Sequence, residues 1–146
     1  RPDRVEEGIK KMLPSDTDYA VKCGEPYAMF NSYFAPETGY RAGTPGQSWR
    51  TASSSWMLKS ITEYVFGLHA ELSGLRIDPC LPLSWKNSKI TKVFRSCRYE
   101  ITFLGNGEGS DVLAMEINGK PASCENNIIP AVAGETLRIT VHLGRK

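Results

Sequence analysis

Gly46-Gln-Ser-Trp-Arg-Thr-Ala-Ser-Ser-Ser-Trp-Met-Leu-Lys-Ser-Ile-Thr-Glu-Tyr-Val-Phe-Gly67 passes from a loop rich in small and hydroxyl residues into a helix. Met57, Ile61, Tyr64, Val65 and Leu68 recur at helical spacing and predict one apolar face, with Lys59, Thr62 and Glu63 on other sides. Thr51-Ala-Ser-Ser-Ser55 lies where that helix starts. The first N–H groups of a helix have no partner within it and sit at the positive end of its dipole. Small side chains let an anion approach those groups, and hydroxyls can add hydrogen bonds. The plainer reading is a Ser/Thr cap that merely starts a buried helix. Spacing alone favours the plainer one.

Outward from this stretch, the composition sets bounds. A chain of 146 residues is one domain by length, or pieces of two. It is 40% hydrophobic and 23% charged, ordinary for a globular protein. A net charge of +2 with no block of like charge argues against nucleic acid or an anionic membrane as partner. No apolar run reaches the roughly 20 residues a membrane span needs, and no signal-peptide pattern opens the sequence. Cys23, Cys80, Cys97 and Cys124 lie far apart, with only His69 and His142 to join them, so neither a zinc site nor a disulfide framework is expected. Free, mostly buried thiols in a reducing, cytoplasmic setting are the reading.

In chain order, Asp3 is expected to cap a helix from about Arg4 to Leu13, with Val5, Ile9, Met12 and Leu13 inward. Glu25-Pro-Tyr27 opens a second short helix through about Phe34, with proline at a favourable early position. Ala35 to Gln47 has no hydrophobic period and reads as a loop of a length that tends to be functional. After Gly67 the period changes to two. Leu75–Pro79, Ile90–Arg95 and Arg98–Leu104 read as strands, the last with Tyr99, Ile101 and Phe103 on one face. Leu113, Met115 and Ile117 alternate up to the hairpin signal Asn118-Gly119, and Leu137, Ile139 and Val141 form a final strand. The expected architecture is α+β, with helices over 1–73 and a small antiparallel β-sandwich over 74–146. Such helices make a poor core by themselves, so they read as the last helices of a larger helical domain.

Three runs carry a resemblance: Glu25-Pro-Tyr27, Ser48-Trp-Arg-Thr-Ala-Ser-Ser-Ser-Trp56, and Gly74-Leu-Arg-Ile-Asp-Pro-Cys-Leu-Pro82 with Trp85-Lys86. In order and spacing they resemble the C-terminal end of the cellobiose and chitobiose phosphorylases, glycoside hydrolase family 94, over about residues 1 to 104. The resemblance implies an α/α toroid (six-hairpin type) followed by a small β-domain. It implies cleavage of a β-linked gluco-oligosaccharide by inorganic phosphate with inversion, giving an α-sugar 1-phosphate. Phosphate then attacks where water would in an inverting glycosidase, so a single carboxylic acid suffices.

The same resemblance places phosphate at Thr51 and Ala52, in Trp49-Arg50-Thr51-Ala52 where the family has Trp-x-Thr-Gly. It places Glu25 near the acceptor sugar and implies substrate contacts by Tyr27 and Trp49. A family histidine that contacts phosphate should fall near Pro14–Asp18, where Asp16 or Thr17 stands instead. The general acid lies upstream in the family, so no catalytic residue is expected here and the fragment alone should be inactive. Asp78 reads as a structural partner of Arg76 or of a backbone N–H, and Trp56 and Trp85 read as core. No cofactor or metal is implied; the implied partners are the oligosaccharide, phosphate and the missing N-terminal part of the same protein. A homo-oligomer is left open. The alternatives are a non-catalytic carbohydrate-binding or interaction module, which would show a planar row of solvent-facing aromatics, and a hydrolase on the same toroid.

Overall fold

The computed structural model describes residues 2–13, 28–46, 51–105, 107, 109–123 and 125–145. Contacts divide the chain into two compact units, Arg4–Ser60 and Ile61–Lys146 with Arg1–Asp3.

Helix α1 spans Pro2–Met12. Proline suits the first turn because its missing N–H would find no acceptor there. Asp3 lies inside this helix, so it is not the cap expected from the sequence. Ile9 is buried, while Lys10 and Lys11 are exposed and reach Glu6 and Glu7 at 2.7 Å, each one turn back. Such pairs contribute about 0.2–0.5 kcal/mol each.

The second expected helix is not formed in its described part. Residues 28–34 are non-helical, and Tyr33 makes an antiparallel bridge with Pro45. The Phe34 N–H donates to the Thr44 carbonyl (3.0 Å), Gly43 N–H to Phe34 (2.8 Å) and Gly46 N–H to Ser32 (2.7 Å). Phe30, Tyr33 and Phe34 suit an extended backbone as well as a helix. The hydrogen-bonded partner across the loop decides between them. Within the loop, Pro36–Arg41 form a 3-10 turn kinked at Gly39 (φ 62°, ψ −115°).

Helix α2, Ser53–Ser60, buries none of its residues. Trp56 is 64% exposed, against the expectation that it is core, and the Lys59 ammonium lies 5.7 Å from its ring centre. A π-helical turn, Ile61–Val65, follows and is closed by Phe66 N–H donating to Ile61 O at 2.9 Å. This i to i+5 turn is wider than an α-turn. It shifts the apolar face, so Val65 is buried while Tyr64, expected beside it, is exposed.

From Ile61 onward two sheets form. In the smaller, β1 (Leu68–Ala70) pairs with β2 (Leu75–Ile77) and β2 with β7 (Ile128–Ile129), all antiparallel. The larger has the order β3-β4-β8-β5-β6, from β3 (Lys89–Phe94), β4 (Cys97–Gly105), β5 (Asp111–Ile117), β6 (Lys120–Ala122) and β8 (Thr136–Gly144). Leu68, Leu75, Ile77 and Ile129 on the small sheet and Tyr99, Ile101, Phe103, Ile139 and Val141 on the large one make the core. Phe66 stacks at 5.8 Å on Phe103, and the Tyr99 hydroxyl donates to the Ile129 carbonyl at 3.4 Å, joining the sheets. This is the two-layer packing of a small β-sandwich.

The alternation of β4 is as expected: Tyr99, Ile101 and Phe103 are inside. The all-antiparallel sheet is not. β8 runs parallel to β4 and antiparallel to β5. A strand placed between two mutually antiparallel neighbours must run parallel to one of them. The expected inward face of β5 is also wrong at one residue. A bulge between Val112 and Ala114 inserts Leu113, which is 53% exposed, while Val112 and Met115 are buried. Asn118 (φ 52°) and Gly119 (φ 74°) make the expected hairpin turn. β1, β6 and β7 are two or three residues long, too short to show a period.

Candidate functional site

The Ala52 carbonyl accepts the first helical bond of α2, from Trp56 N–H at 2.9 Å. Ala52 is therefore the N-cap and Ser53–Ser55 are the first turn. Thr51 Oγ1 accepts the Ser53 N–H at 3.0 Å and shares a 2.5 Å hydrogen bond with Ser53 Oγ. So the Thr51 oxygen already satisfies one amide that the helix leaves without a partner. The two hydroxyls hold two protons, and their mutual bond uses one, which leaves a second for donation to another acceptor. Among the described residues, no helical carbonyl reaches the Ser54 and Ser55 N–H groups. Thr51 is half-buried, and Ala52, Ser54 and Ser55 are exposed. Together they present amide donors and a hydroxyl at the positive end of a helix, an arrangement able to hold an anion.

Of the residues singled out from the sequence, the structure brings together Thr51 and Ala52. Glu25, Tyr27 and Trp49 lie outside the described residues, as do Asp16, Thr17, Cys23 and Cys124. Ser53 is the residue that sequence reasoning had not given a separate role. Its signal was the threonine two positions earlier, a spacing at which hydroxyls bond nearby backbone.

The run from Gly74 to Lys86 has an architectural use. Leu75 and Ile77 are core. Arg76 bonds Glu71 through Nε (3.0 Å) and Asp78 through Nη1 (2.9 Å), so Asp78 is the structural partner expected and Glu71 an additional one. The hydrogen bond that Arg76 donates to Glu71, the largest influence, raises the Arg76 pKa further, with Asp78 adding to it. Asp78 N–H donates to Gly67 O and Cys80 N–H to Val65 O, both at 2.9 Å. A Cβ at Gly67, whose φ is +66°, would run into the Asp78 carbonyl and the Pro79 nitrogen. Lys86 is buried and its ammonium donates to the Gly107 carbonyl. Ser110 Oγ donates to Leu81 O at 3.0 Å, tying the same segment to the turn after β4. Trp85 is half-buried against Phe66, 6.1 Å between ring centres.

Open grooves on the sandwich include one of about 520 Å³ beside the β5 bulge and another of about 430 Å³ on the outer face of β3, β4 and β8. The second is lined by Lys89, Thr91, Glu100, Thr102 and Arg138 among others, with no aromatic ring. Tyr99 and Phe103 are in the core, so β4 presents no aromatic platform for a sugar. Among the described residues, no three His, Cys, Asp or Glu side chains gather as a metal site, and no helix is long and apolar enough to cross a membrane. Cys80 and Cys97 are free thiols, half-buried and buried respectively.

No family model matches the chain. Curated relatives do. Over 82% of its length the chain is 32% identical to the solabiose phosphorylase of Paenibacillus borealis. It is 27% identical over 99% of its length to the N,N'-diacetylchitobiose phosphorylase of Vibrio proteolyticus. It is 30% identical over 95% of its length to the cellobionic acid phosphorylase of Neurospora crassa. These matches span 15 to 18% of the relatives' own length. The resemblance to glycoside phosphorylases read from the motifs is borne out, and it runs on through the last strands, further than the motifs reach.

Proposed function

We propose that the chain is the C-terminal portion of an inverting glycoside phosphorylase, one that cleaves a β-linked gluco-oligosaccharide with inorganic phosphate and releases an α-sugar 1-phosphate. The observation that carries this is the likeness over nearly the whole chain to relatives that are all named as phosphorylases of glycosides. On this reading the helices belong to the end of a catalytic α/α toroid and the sandwich is its C-terminal companion. The start of α2 holds the phosphate. Donors fixed by the helix need no reorganisation when the anion arrives. The first-turn amides, the Ala52 backbone and the second hydroxyl proton of the Thr51–Ser53 pair supply them. Thr51 is both cap and phosphate residue. Glu25, Tyr27 and Trp49 contact the sugars. The general acid that protonates the departing glycosidic oxygen belongs to the remainder of the longer protein, which works in the cytoplasm.

The test is product analysis with the full-length protein. Incubation with a β-linked gluco-oligosaccharide should give α-sugar 1-phosphate only when phosphate is present, and the 146-residue chain alone should give none. Release of free sugar at the same rate without phosphate would mark a hydrolase and overturn the proposal.

A further inference from the structure

Asn118 and Gly119 close the β5–β6 hairpin, and both take left-handed φ angles, 52° and 74°. Asparagine and glycine are the residues such a two-residue turn favours. Asn118 also makes bonds that a turn residue need not make. Its N–H donates to the Arg138 carbonyl at 2.7 Å, and its side-chain Oδ1 accepts the Arg138 N–H at 2.9 Å. Ile117 and Ile139 are the last main-chain pair of β5 and β8 before it. The carboxamide thus stands where a main-chain carbonyl would, and adds one more pair to that ladder.

This placement has a chemical consequence. Attack by the Gly119 nitrogen on the Asn118 Cγ closes a five-membered ring. Oδ1 is the oxygen that gathers charge in that attack, and a main-chain donor already held on it lowers the barrier. Gly119 adds no hindrance, since nothing lies within 4 Å of the place a Cβ would take. Rotation about the Asn118 Cα–C bond carries Gly119 toward Cγ and leaves the side chain on Arg138. That rotation swings β6, which is weakly held. β6 is three residues long, pairs with β5 alone among the described residues, and contains Pro121, which has no N–H for the ladder. Elements with so few bonds open locally at low cost.

We propose that Asn118 is a self-modification site of the folded protein, where the carboxamide deamidates through a succinimide. The Gly119 nitrogen loses its proton to solvent and bonds to Cγ. The Cγ–Nδ2 bond breaks, and Nδ2 takes up a proton and leaves as ammonia. Water then opens the ring at either carbonyl, giving aspartate or isoaspartate, so that one water enters for each ammonia lost. Aspartate keeps an oxygen for the Arg138 N–H. Isoaspartate adds a methylene to the main chain of the turn, so the Ile117–Lys120 pair loses its register.

The experiment incubates the full-length protein at mildly alkaline pH, folded and, in parallel, unfolded in guanidinium chloride. Residue 118 is read by peptide mapping and by labelling with an isoaspartate-specific methyltransferase. Fragmentation must separate Asn118 from Asn106, which is also followed by glycine. Aspartate and isoaspartate should appear at 118 in the folded protein within about tenfold of the unfolded rate or faster, tenfold being about 1.4 kcal/mol of restraint by the fold. Asn87, Asn126 and Asn127, each followed by a residue with a side chain, should convert more slowly. Conversion at 118 that is absent from the folded protein, or more than about tenfold slower there, overturns the proposal, because the turn then protects the carboxamide. Equal conversion at Asn87, Asn126 or Asn127 in the folded protein overturns it as well, because the turn then confers nothing.

Discussion

The sandwich and the helical unit answer differently to the same test, which is what each does with its large apolar residues. In the sandwich Tyr99, Phe103, Leu75, Ile77 and Val141 are fully enclosed between two sheets. In the unit before it, α2 buries nothing, and residues 31–40 are exposed throughout. Burial of apolar area is the main favourable term in folding. The sandwich therefore carries its own stability, whereas the helices have apolar groups left over for something else. Sequence periodicity finds faces in both places. It reports that a face exists, not what covers it.

Four substitutions separate the two regions, beginning with the largest effect. Phe103→Ala removes a fully buried ring between the sheets and should cost about 3–5 kcal/mol in denaturant unfolding of the 146-residue chain. A cost below about 1 kcal/mol would mean the sandwich core is not what holds this unit. Gly67→Ala joins a left-handed φ to a collision with the Asp78 carbonyl, and about 3 kcal/mol is expected from strain and overpacking combined. Its urea midpoint should fall accordingly.

Thr51→Val probes the other region. It should raise the Michaelis constant of the full-length protein for phosphate roughly tenfold to a hundredfold, the effect of losing a bond to a charged group at about 1.5–3 kcal/mol. The glycoside constant should hold. Wild-type phosphate dependence with a lower melting temperature would leave Thr51 as the Ser53 cap alone. Smallest of all, Trp56→Ala on the exposed face of α2 should change the stability of the 146-residue chain by less than about 0.5 kcal/mol. A loss as large as that of Phe103 would erase the contrast.

A pH measurement sharpens the sandwich side. Burial, with the Cys97 thiol adding to it, pushes the Tyr99 pKa up from 10.0 to about 12. The folded value lies above the unfolded one, so the neutral phenol's contribution is complete below pH 10 and is lost as pH rises toward 12. Unfolding free energy should fall across that window in the wild type. Tyr99→Phe should flatten the fall, and an unchanged slope would show that other groups govern it.

Much of the sandwich was legible because β3, β4, the Asn118-Gly119 turn and β8 obey local rules of alternation and turn chemistry. What was not legible depended on partners. The bulge at Leu113 changes the face by one inserted residue, and no local pattern announces it. The π turn at Ile61–Val65 does the same to a helix, turning Tyr64 outward. Residues 28–34 read as helical because helix and strand preferences there are nearly balanced; Thr44 and Gly46, across the loop, supply the deciding bonds. At the candidate site, the hydroxyl-rich helix start was readable from Thr51 to Ser55. The pairing of Thr51 with Ser53 was a matter of rotamer that spacing left open.

β8 is the last strand in sequence order and the middle strand of the larger sheet. The hairpins β3–β4 and β5–β6 are complete before it in order, yet each shows an unpaired inner edge until it arrives. During synthesis, those edges wait in the open while the rest of the chain emerges, and they can capture a neighbouring chain meanwhile. β8 must then register against β4 from some 40 residues away, a non-local pairing that sets a slow rate. The lysines at 89 and 92 guard the outer edge of β3.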